Sequence, residues 1–387
     1  MRLLIVSHMP HHHLKDGTVV GWAATVRELD RLATRFDSVR HVACLHAGDA
    51  PASAIPYTAK NVTLVPVPPS GAEGFLGKLD VLRISPRYIR TILRELADAD
   101  MVHVRAPAHI ALIAIVMLMF RRAPSARWFK YAGNWSPTGR ESPSYAIQRH
   151  LLKSGLPRGL VTVNGKWSEQ PAWIRTFFNP SLDDQTIERA AKIASAKQLT
   201  SPIQLVFVGR IETPKGAGRA IAIVARLRDR GVAARLDLIG DGAERGQFEA
   251  LARELAVADL VAFQGWQPPQ VVEEFYRRAH LQLMPTTASE GWPKVLSEGM
   301  AFGVVPVAST VSSIPQYLEQ LQTGVALLAN DLDAFVAAIE AYTRDPARWA
   351  RESKRAAEST RWFSFRHYLE SVDSLLEDLG VDAIEPH

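Results

Sequence analysis

The stretch LQLMPTTASEGWPKVLSEGMAFGVVPVAST, residues 281–310, decides how this chain folds. Its first part, LQLMPTT (281–287), is apolar on both faces, and so is its last, VVPVAST (304–310). Strands of that kind lie inside parallel sheets, covered on both sides. Between them Pro293 suits a first helical turn, where a missing N–H costs nothing, and predicts a helix from about Pro293 to Phe302. Strand, helix and strand in that order make a parallel crossover unit.

The same alternation extends through the chain. Upstream, apolar runs read RLLIVSH (2–8), VRHVACLH (39–46), VTLVPVP (62–68), MVHVRA (101–106), RWFKYA (127–132), LVTVNG (160–165) and IRTFFNP (174–180). Downstream they read QLVFVGR (204–210), ARLDLIG (234–240), LVAFQGW (260–266) and VALLA (325–329). Helical stretches separate most of them, which predicts two successive doubly wound α/β units. The polar segment 181–202 is the best boundary, so a first domain spans 1–180, a linker 181–202 and a second domain 203–360. Residues 361–387 include an amphipathic helix after the last strand.

Composition sets limits. The chain has 387 residues, 47% apolar and 22% charged, enough for two cores. Its one cysteine, Cys44, excludes an intrachain disulfide and fits a reducing cytosol. The apolar run 110–120 is too short to span a bilayer and reads as a buried helix. Residues 1–180 carry 23 Lys and Arg against 12 Asp and Glu, a surplus of +11, while the remainder is −6, giving +5 overall. A basic first half suits an anionic partner. No helix-turn-helix, zinc-finger or aromatic RNA-binding signature accompanies it, so nucleic acid is not expected.

Two constellations carry possible chemistry. GRIETPKG (209–216) places Arg210 and Lys215 in a strand-to-helix loop, where ligands of such sheets sit. Two cations beside helix-start amides fit a diphosphate; otherwise they are solvated loop charges. The P-loop pattern is missing. In SEGWPKVLSEG (289–299), Glu290 precedes the helix and Glu298 lies about one and a half turns inside it. The two acids would bracket a ligand across the helix start, with Glu298 accepting from ribose hydroxyls; alternatively Glu290 caps the helix and Glu298 faces water. Gly291 and Gly299 permit close approach of a ligand or of other backbone.

SEGWPKVLSEGMAFGVVPVAST resembles the E-x7-E signature of the retaining glycosyltransferases of family 4, which have the GT-B fold of two Rossmann-like domains facing across a cleft. FVGRIETPKG, LIGDGAERGQFEALA and FQGWQPPQVVEEFYRRAHLQLMP match in the same order, covering residues 204–330. The resemblance implies roles. Arg210 and Lys215 would hold the donor diphosphate, and Glu290 the donor sugar hydroxyls. Glu298 would bind the ribose. Gly291, Trp292, Lys294 and Val295 border the same stretch, with backbone amides of 291–294 toward phosphate or sugar. Gly209 and Gly240 belong to cleft turns, and Trp266 lies where the family frames the base. Arg210, Lys215 and Glu290 are the implied catalytic set. Metal and other cofactors are not implied; the donor would be a nucleotide sugar, uridine diphosphate being commoner in the family than guanosine diphosphate. The final helix would cross back to the first domain.

The first half matches the family only in strand order. Relatives carry a histidine after the fifth strand, where this chain reads FKYAGNWSP; Asn134 would supply a neutral hydrogen bond instead. In SHMPHHHLKDGTVVGW (7–22), Gly17 and Gly21 would face donor or acceptor, and four histidines without spaced partners are weak metal ligands. The Asp-x-Asp pairs at 98–100 and 331–333 read as surface or capping residues. RISPRYIRTILREL (83–96) starts like a helix at Ser85–Pro86, with an apolar stripe Ile89, Ile92, Leu93, Leu96 and arginines 87, 90 and 94 on another side. It is a solvated face or a contact for anionic lipid.

The implied reaction is retaining transfer from a nucleotide sugar to a glycan or lipid-linked hydroxyl, in cell-envelope or extracellular polysaccharide synthesis. It would take place in the cytoplasm or at the inner membrane face. A nucleotide-sugar epimerase and a non-catalytic nucleotide-sugar-binding protein are the alternatives.

Overall fold

The computed structural model describes residues 1–70, 75–137, 141–168, 170–288 and 290–381, with backbone alone for 75–80 and 82. Ser289 of the acidic motif lies outside the described residues. The chain divides into two compact units, Met1–Phe177 together with the residues from Tyr368 on, and Phe178–His367.

The first unit contains β1 (Arg2–His13), β2 (Val19–Trp22), α1 (Ala23–Ala33), β3 (Ser38–Leu45), β4 (Ala54–Pro56), β5 (Val62–Val67) and α2 (Phe75–Leu96). It continues with β6 (Met101–Ala106), α3 (His109–Met119), β7 (Ala126–Tyr131), α4 (Pro143–Lys153), β8 (Leu160–Val163) and β9 (Ile174–Thr176). Strand β1 runs parallel between β3 and β6, with Val6 opposite Val42 and Val104. Side chains alternate across it. Leu4 and Val6 pack with Tyr88, Ile92 and Ile115 under α2 and α3, while Leu3 and Ile5 pack with Leu29 and Trp128 under α1.

Strand β1 is longer than the sequence suggested. Its register shifts between Val6 and Pro10, and His11–His13 then pair antiparallel with β2. The histidines expected in a loop therefore sit on a strand. His11 is fully buried, held by the Tyr57 hydroxyl at 2.9 Å and the Met9 carbonyl at 3.1 Å. Helix α2 starts at Phe75 rather than at Ser85 and runs through Pro86, with the Ser85 hydroxyl donating to the Val81 carbonyl. Its buried stripe is Tyr88, Ile92 and Leu96, and Ile89 and Leu93 are left 39% and 38% exposed. Tyr88 wins the inward position because its hydroxyl reaches the Pro68 carbonyl at 2.7 Å.

The second unit contains α5 (Asp184–Ala196), β10 (Ile203–Val208), α6 (Ala217–Asp229), β11 (Ala234–Ile239), α7 (Arg245–Glu254), β12 (Val261–Gly265) and α8 (Pro269–Arg278). Then come β13 (Leu281–Met284), α9 (Lys294–Ala301), β14 (Val305–Ser309), α10 (Ile314–Leu321), β15 (Val325–Leu327), α11 (Leu332–Arg344) and α12 (Pro346–Ser359). All six strands are parallel, in the order β12-β11-β10-β13-β14-β15. The stretch 181–202, expected as a linker, holds α5, whose N-cap Asp183 accepts from Thr186 N–H at 2.7 Å. Ala190 of α5 is buried in a core with Tyr276 and Phe302, which is why a polar-looking segment folds onto this unit. Asp331 likewise caps α11, accepting from Ala334 N–H at 3.0 Å. A last helix, α13 (Phe365–Asp378), puts Tyr368, Val372 and Leu376 into the core of the first unit. No described helix is long and apolar enough to cross a membrane.

Candidate active site

In the second unit the winding of the sheet reverses between neighbouring strands β10 and β13. Loops leaving the carboxyl ends of two such strands turn to opposite faces and open a crevice. Arg210 and Lys215 lie in the loop after β10, and Glu290 in the loop after β13.

The two loops are tied together by backbone. The Pro214 carbonyl accepts from Thr287 N–H at 2.8 Å and from the Thr286 hydroxyl at 3.2 Å. Arg219, in the first turn of α6, donates through Nε to the Pro285 carbonyl at 2.6 Å. Gly216 has φ +95°, and a Cβ there would lie 2.2 Å from the Pro285 oxygen. Only glycine lets the β10 loop close onto the end of β13.

That closure brings Lys215 to Glu290. The ammonium donates to Oε1 of the carboxylate, and each side chain is 20% exposed. Arg210 lies open instead, 70% exposed, with Nη1 3.0 Å from Glu212. Both cations therefore have carboxylate partners. Among the described residues, neither the α6 N-cap Gly216 nor the α9 N-cap Pro293 makes a side-chain cap hydrogen bond, and a helix start of that kind suits an anion. Gly240 packs against Gly209, whose oxygen would lie 1.9 Å from an added Cβ, and Gly209 N–H donates to the Ile239 carbonyl at 3.0 Å. These two turns form the floor beside Arg210.

Residues 188–361 match the family Glycosyl transferases group 1. This part of the chain is similar to the glycosyl transferases group 1 domain. A glycogen synthase of Mycobacterium tuberculosis is 27% identical over 269 residues, 66% of this chain and 63% of that protein. An amylovoran biosynthesis glycosyltransferase of Erwinia amylovora is 25% identical over 187 residues, 46% of each chain. The aligned part thus spans about half to two thirds of these relatives. The fold is of the GT-B type: the Anabaena HepE structure, solved with UDP and glucose, superposes with a TM-score of 0.63 at 15% identity, over 98% of this chain and all of that one.

Within residues 188–361 the acidic motif turns several of its side chains inward. Trp292 is 2% exposed, stacked on Phe363 and edge-on to Tyr317, so its ring belongs to the core, and the expectation for this residue concerns its backbone amide. Its carbonyl accepts from Asn179 at 3.1 Å. The Val295 carbonyl accepts from Tyr276 and Gln282, at 3.2 and 3.1 Å. Gly299 faces inward too, and a Cβ there would lie 2.3 Å from Gln282 Oε1. Lys294 and Glu298 are half-buried on α9, and Glu298 stands near enough to Tyr276 to add to the upward push that burial gives its phenol. Trp266, at the end of β12, is 42% exposed.

Two expected residues lie in the first unit. Gly17 forms the turn of the β1–β2 hairpin, with φ +85° and open space around it. It is a hairpin residue because β1 continues past His8 to His13. Asn134 accepts from Ser136 N–H at 3.1 Å, closing a local turn.

The sequence reading missed three supports. Arg219 stands one helical turn beyond Lys215, a spacing that could have revealed it. Glu244 holds Thr213 N–H at 2.9 Å, and the Ser313 hydroxyl donates to the Gly291 carbonyl at 3.1 Å. Neither partnership leaves a sequence signal, because each spans two separate loops.

Proposed function

We propose that the chain is a glycosyltransferase, carrying a sugar from a nucleotide-sugar donor to a hydroxyl of a glycan or lipid-linked acceptor, with retention at the anomeric carbon. The observation that carries this is the Lys215–Glu290 pair at the switch point of a domain similar to the group 1 family. Each partner keeps 20% of its side-chain surface open, and a diphosphate offers the lysine more negative charge than one carboxylate does, so it competes for the ammonium. Once Lys215 turns to phosphate, Glu290 is released to accept hydrogen bonds from the donor sugar. Arg210, already facing solvent, adds a second charge as the nucleotide leaves. Glu298 takes the ribose, and Gly291 to Lys294 offer backbone to phosphate or sugar.

Uridine diphosphate is the proposed nucleotide, supported by the UDP bound to HepE. A polysaccharide or its lipid-linked precursor is the proposed product class, supported by the glycogen and amylovoran relatives. Action on the cytoplasmic side of the membrane fits such an acceptor. The test is a panel of nucleotide sugars read by thermal shift and by release of nucleoside diphosphate with and without acceptor glycans. Acceptor-dependent release with an α-donor giving an α-product supports the reading. Donor turnover that ignores acceptor points to an epimerase, and binding without turnover to a non-catalytic sensor.

A further inference from the structure

We propose that the helical layer α2–α3–α4 of the first unit is a docking surface for an anionic lipid bilayer. Helix α3 packs between α2 and α4. It carries no charged residue from Ile110 to Met119, so its outward side has nothing polar to offer water. Val116 is 39% exposed there, and Phe120, just after the helix, is 82% exposed, the highest value among the large apolar side chains described. Leu156, 56% exposed, stands with Phe120 at the rim of one shallow depression over Trp173. On the flanking helices Ile89 and Leu93 of α2 are more than a third exposed, and Ile147 of α4 is 50% exposed.

Among the described residues, the charges on this layer without an opposite partner are of one kind. Arg83, Arg87 and Arg90 project from α2 and have no acidic partner among the described residues. Arg122 and Lys153 are exposed beside Phe120 and at the end of α4. Of the acids nearby, Glu95 is held by Arg40 and Arg94, Glu141 by Arg149, and Asp98 and Asp100 are turned to Arg2. Apolar tips set among unpaired cations match the boundary between anionic headgroups and acyl chains, where each kind of group finds its complement. A protein partner would require acidic patches interleaved with apolar ones; a bilayer presents both continuously. The surface belongs to the first unit and Lys215 and Glu290 to the second, so the proposal does not depend on the donor-site reading.

The experiment is flotation of the full chain with vesicles of phosphatidylcholine alone or mixed with phosphatidylglycerol. Wild type is expected to float with the anionic vesicles only, and less as ionic strength rises from about 0.05 to about 0.5 M. Arg83→Glu/Arg87→Glu/Arg90→Glu should lower partitioning by more than about tenfold. Phe120→Ser/Leu156→Ser should lower it severalfold and leave nucleotide-induced thermal shifts unchanged. Absence of flotation, or flotation of both variants like wild type, overturns the proposal. So does self-association of wild type without vesicles that the Phe120→Ser/Leu156→Ser variant abolishes, since the face would then cover a second copy.

Discussion

The Trp292 indole lies on the Phe363 ring, with centroids 5.0 Å and planes 11° apart. Trp292 belongs to the acidic motif and Phe363 to the segment leading into α13, so the motif is anchored from behind by a residue far along the chain. Its indole N–H points to Ser297 at 3.4 Å and its carbonyl is held by Asn179. Trp292→Ala should therefore lower stability by about 3–5 kcal/mol, as emptied aromatic core positions do. Trp292→Phe should keep most transfer activity. Urea denaturation beside steady-state kinetics checks this; a folded Trp292→Phe variant with ordinary stability and lost donor affinity would return the ring to the ligand.

Lys215 and Glu290 should separate on substitution. Lys215→Met is expected to weaken nucleoside diphosphate binding by about 2–4 kcal/mol, the scale of a lost charge-assisted contact. Glu290→Gln should bind the bare diphosphate at least as tightly as wild type, because the lysine no longer has a carboxylate to leave. Its transfer rate should still fall about 100–1,000-fold. Calorimetry with the nucleotide alone, set against turnover of the nucleotide sugar, distinguishes the two; equal losses in both assays would contradict the exchange.

Gly216 tests the junction of the loops. Alanine there meets the Pro285 oxygen at 2.2 Å in a backbone with φ +95°, so Gly216→Ala should cost more than about 2 kcal/mol and abolish donor binding. Gly231, at φ +74° with open space around it, is the control and should cost only about 1 kcal/mol when changed to alanine. Melting temperatures of the two variants decide the matter.

The first unit should be acid-sensitive. Burial pulls His11 down to about 4, and pulls His41 and His103 well below the ordinary histidine range. His41 is locked between the Ser7 hydroxyl at 2.8 Å and the Tyr57 hydroxyl at 2.9 Å. Around His103, Arg105 and Lys130 add to the downward push and Glu28 opposes it. Below about pH 6.5 the unfolded chain binds protons that the folded one refuses, so stability falls as pH drops toward 4 and is level above that window. Each such histidine contributes about 1.4 kcal/mol per pH unit at most. Urea titrations at pH 7 and pH 5 measure the slope. Replacing His103 by leucine should reduce it, since the buried Nε2 has no partner among the described residues.

Much of this was readable in the residues themselves. Doubly apolar runs such as LQLMPTT and VVPVAST became parallel neighbours β13 and β14, because nothing but a sheet covered on both faces accommodates them. The positions of Arg210, Lys215 and Glu290 after their strands were legible for the same reason. The direction of the side chains was not. Trp292 and Glu290 are two residues apart, yet one is core and the other lines the loop. On α2, Ile89 and Leu93 fitted an apolar stripe as well as Tyr88 did, and only the Pro68 carbonyl, reached by the tyrosine hydroxyl, settled which side turned inward.

The sequence by itself determined two α/β units built mainly on parallel strands and the loops that bear the charges, because strand burial and helix starts are set by residues close together in the chain. Tertiary structure alone decided that Lys215 meets Glu290, that Gly216 must be glycine, and that an arginine-flanked apolar layer faces outward. Those outcomes depend on which strands become neighbours and on where distant carbonyls and rings come to lie, and local sequence carries no record of either.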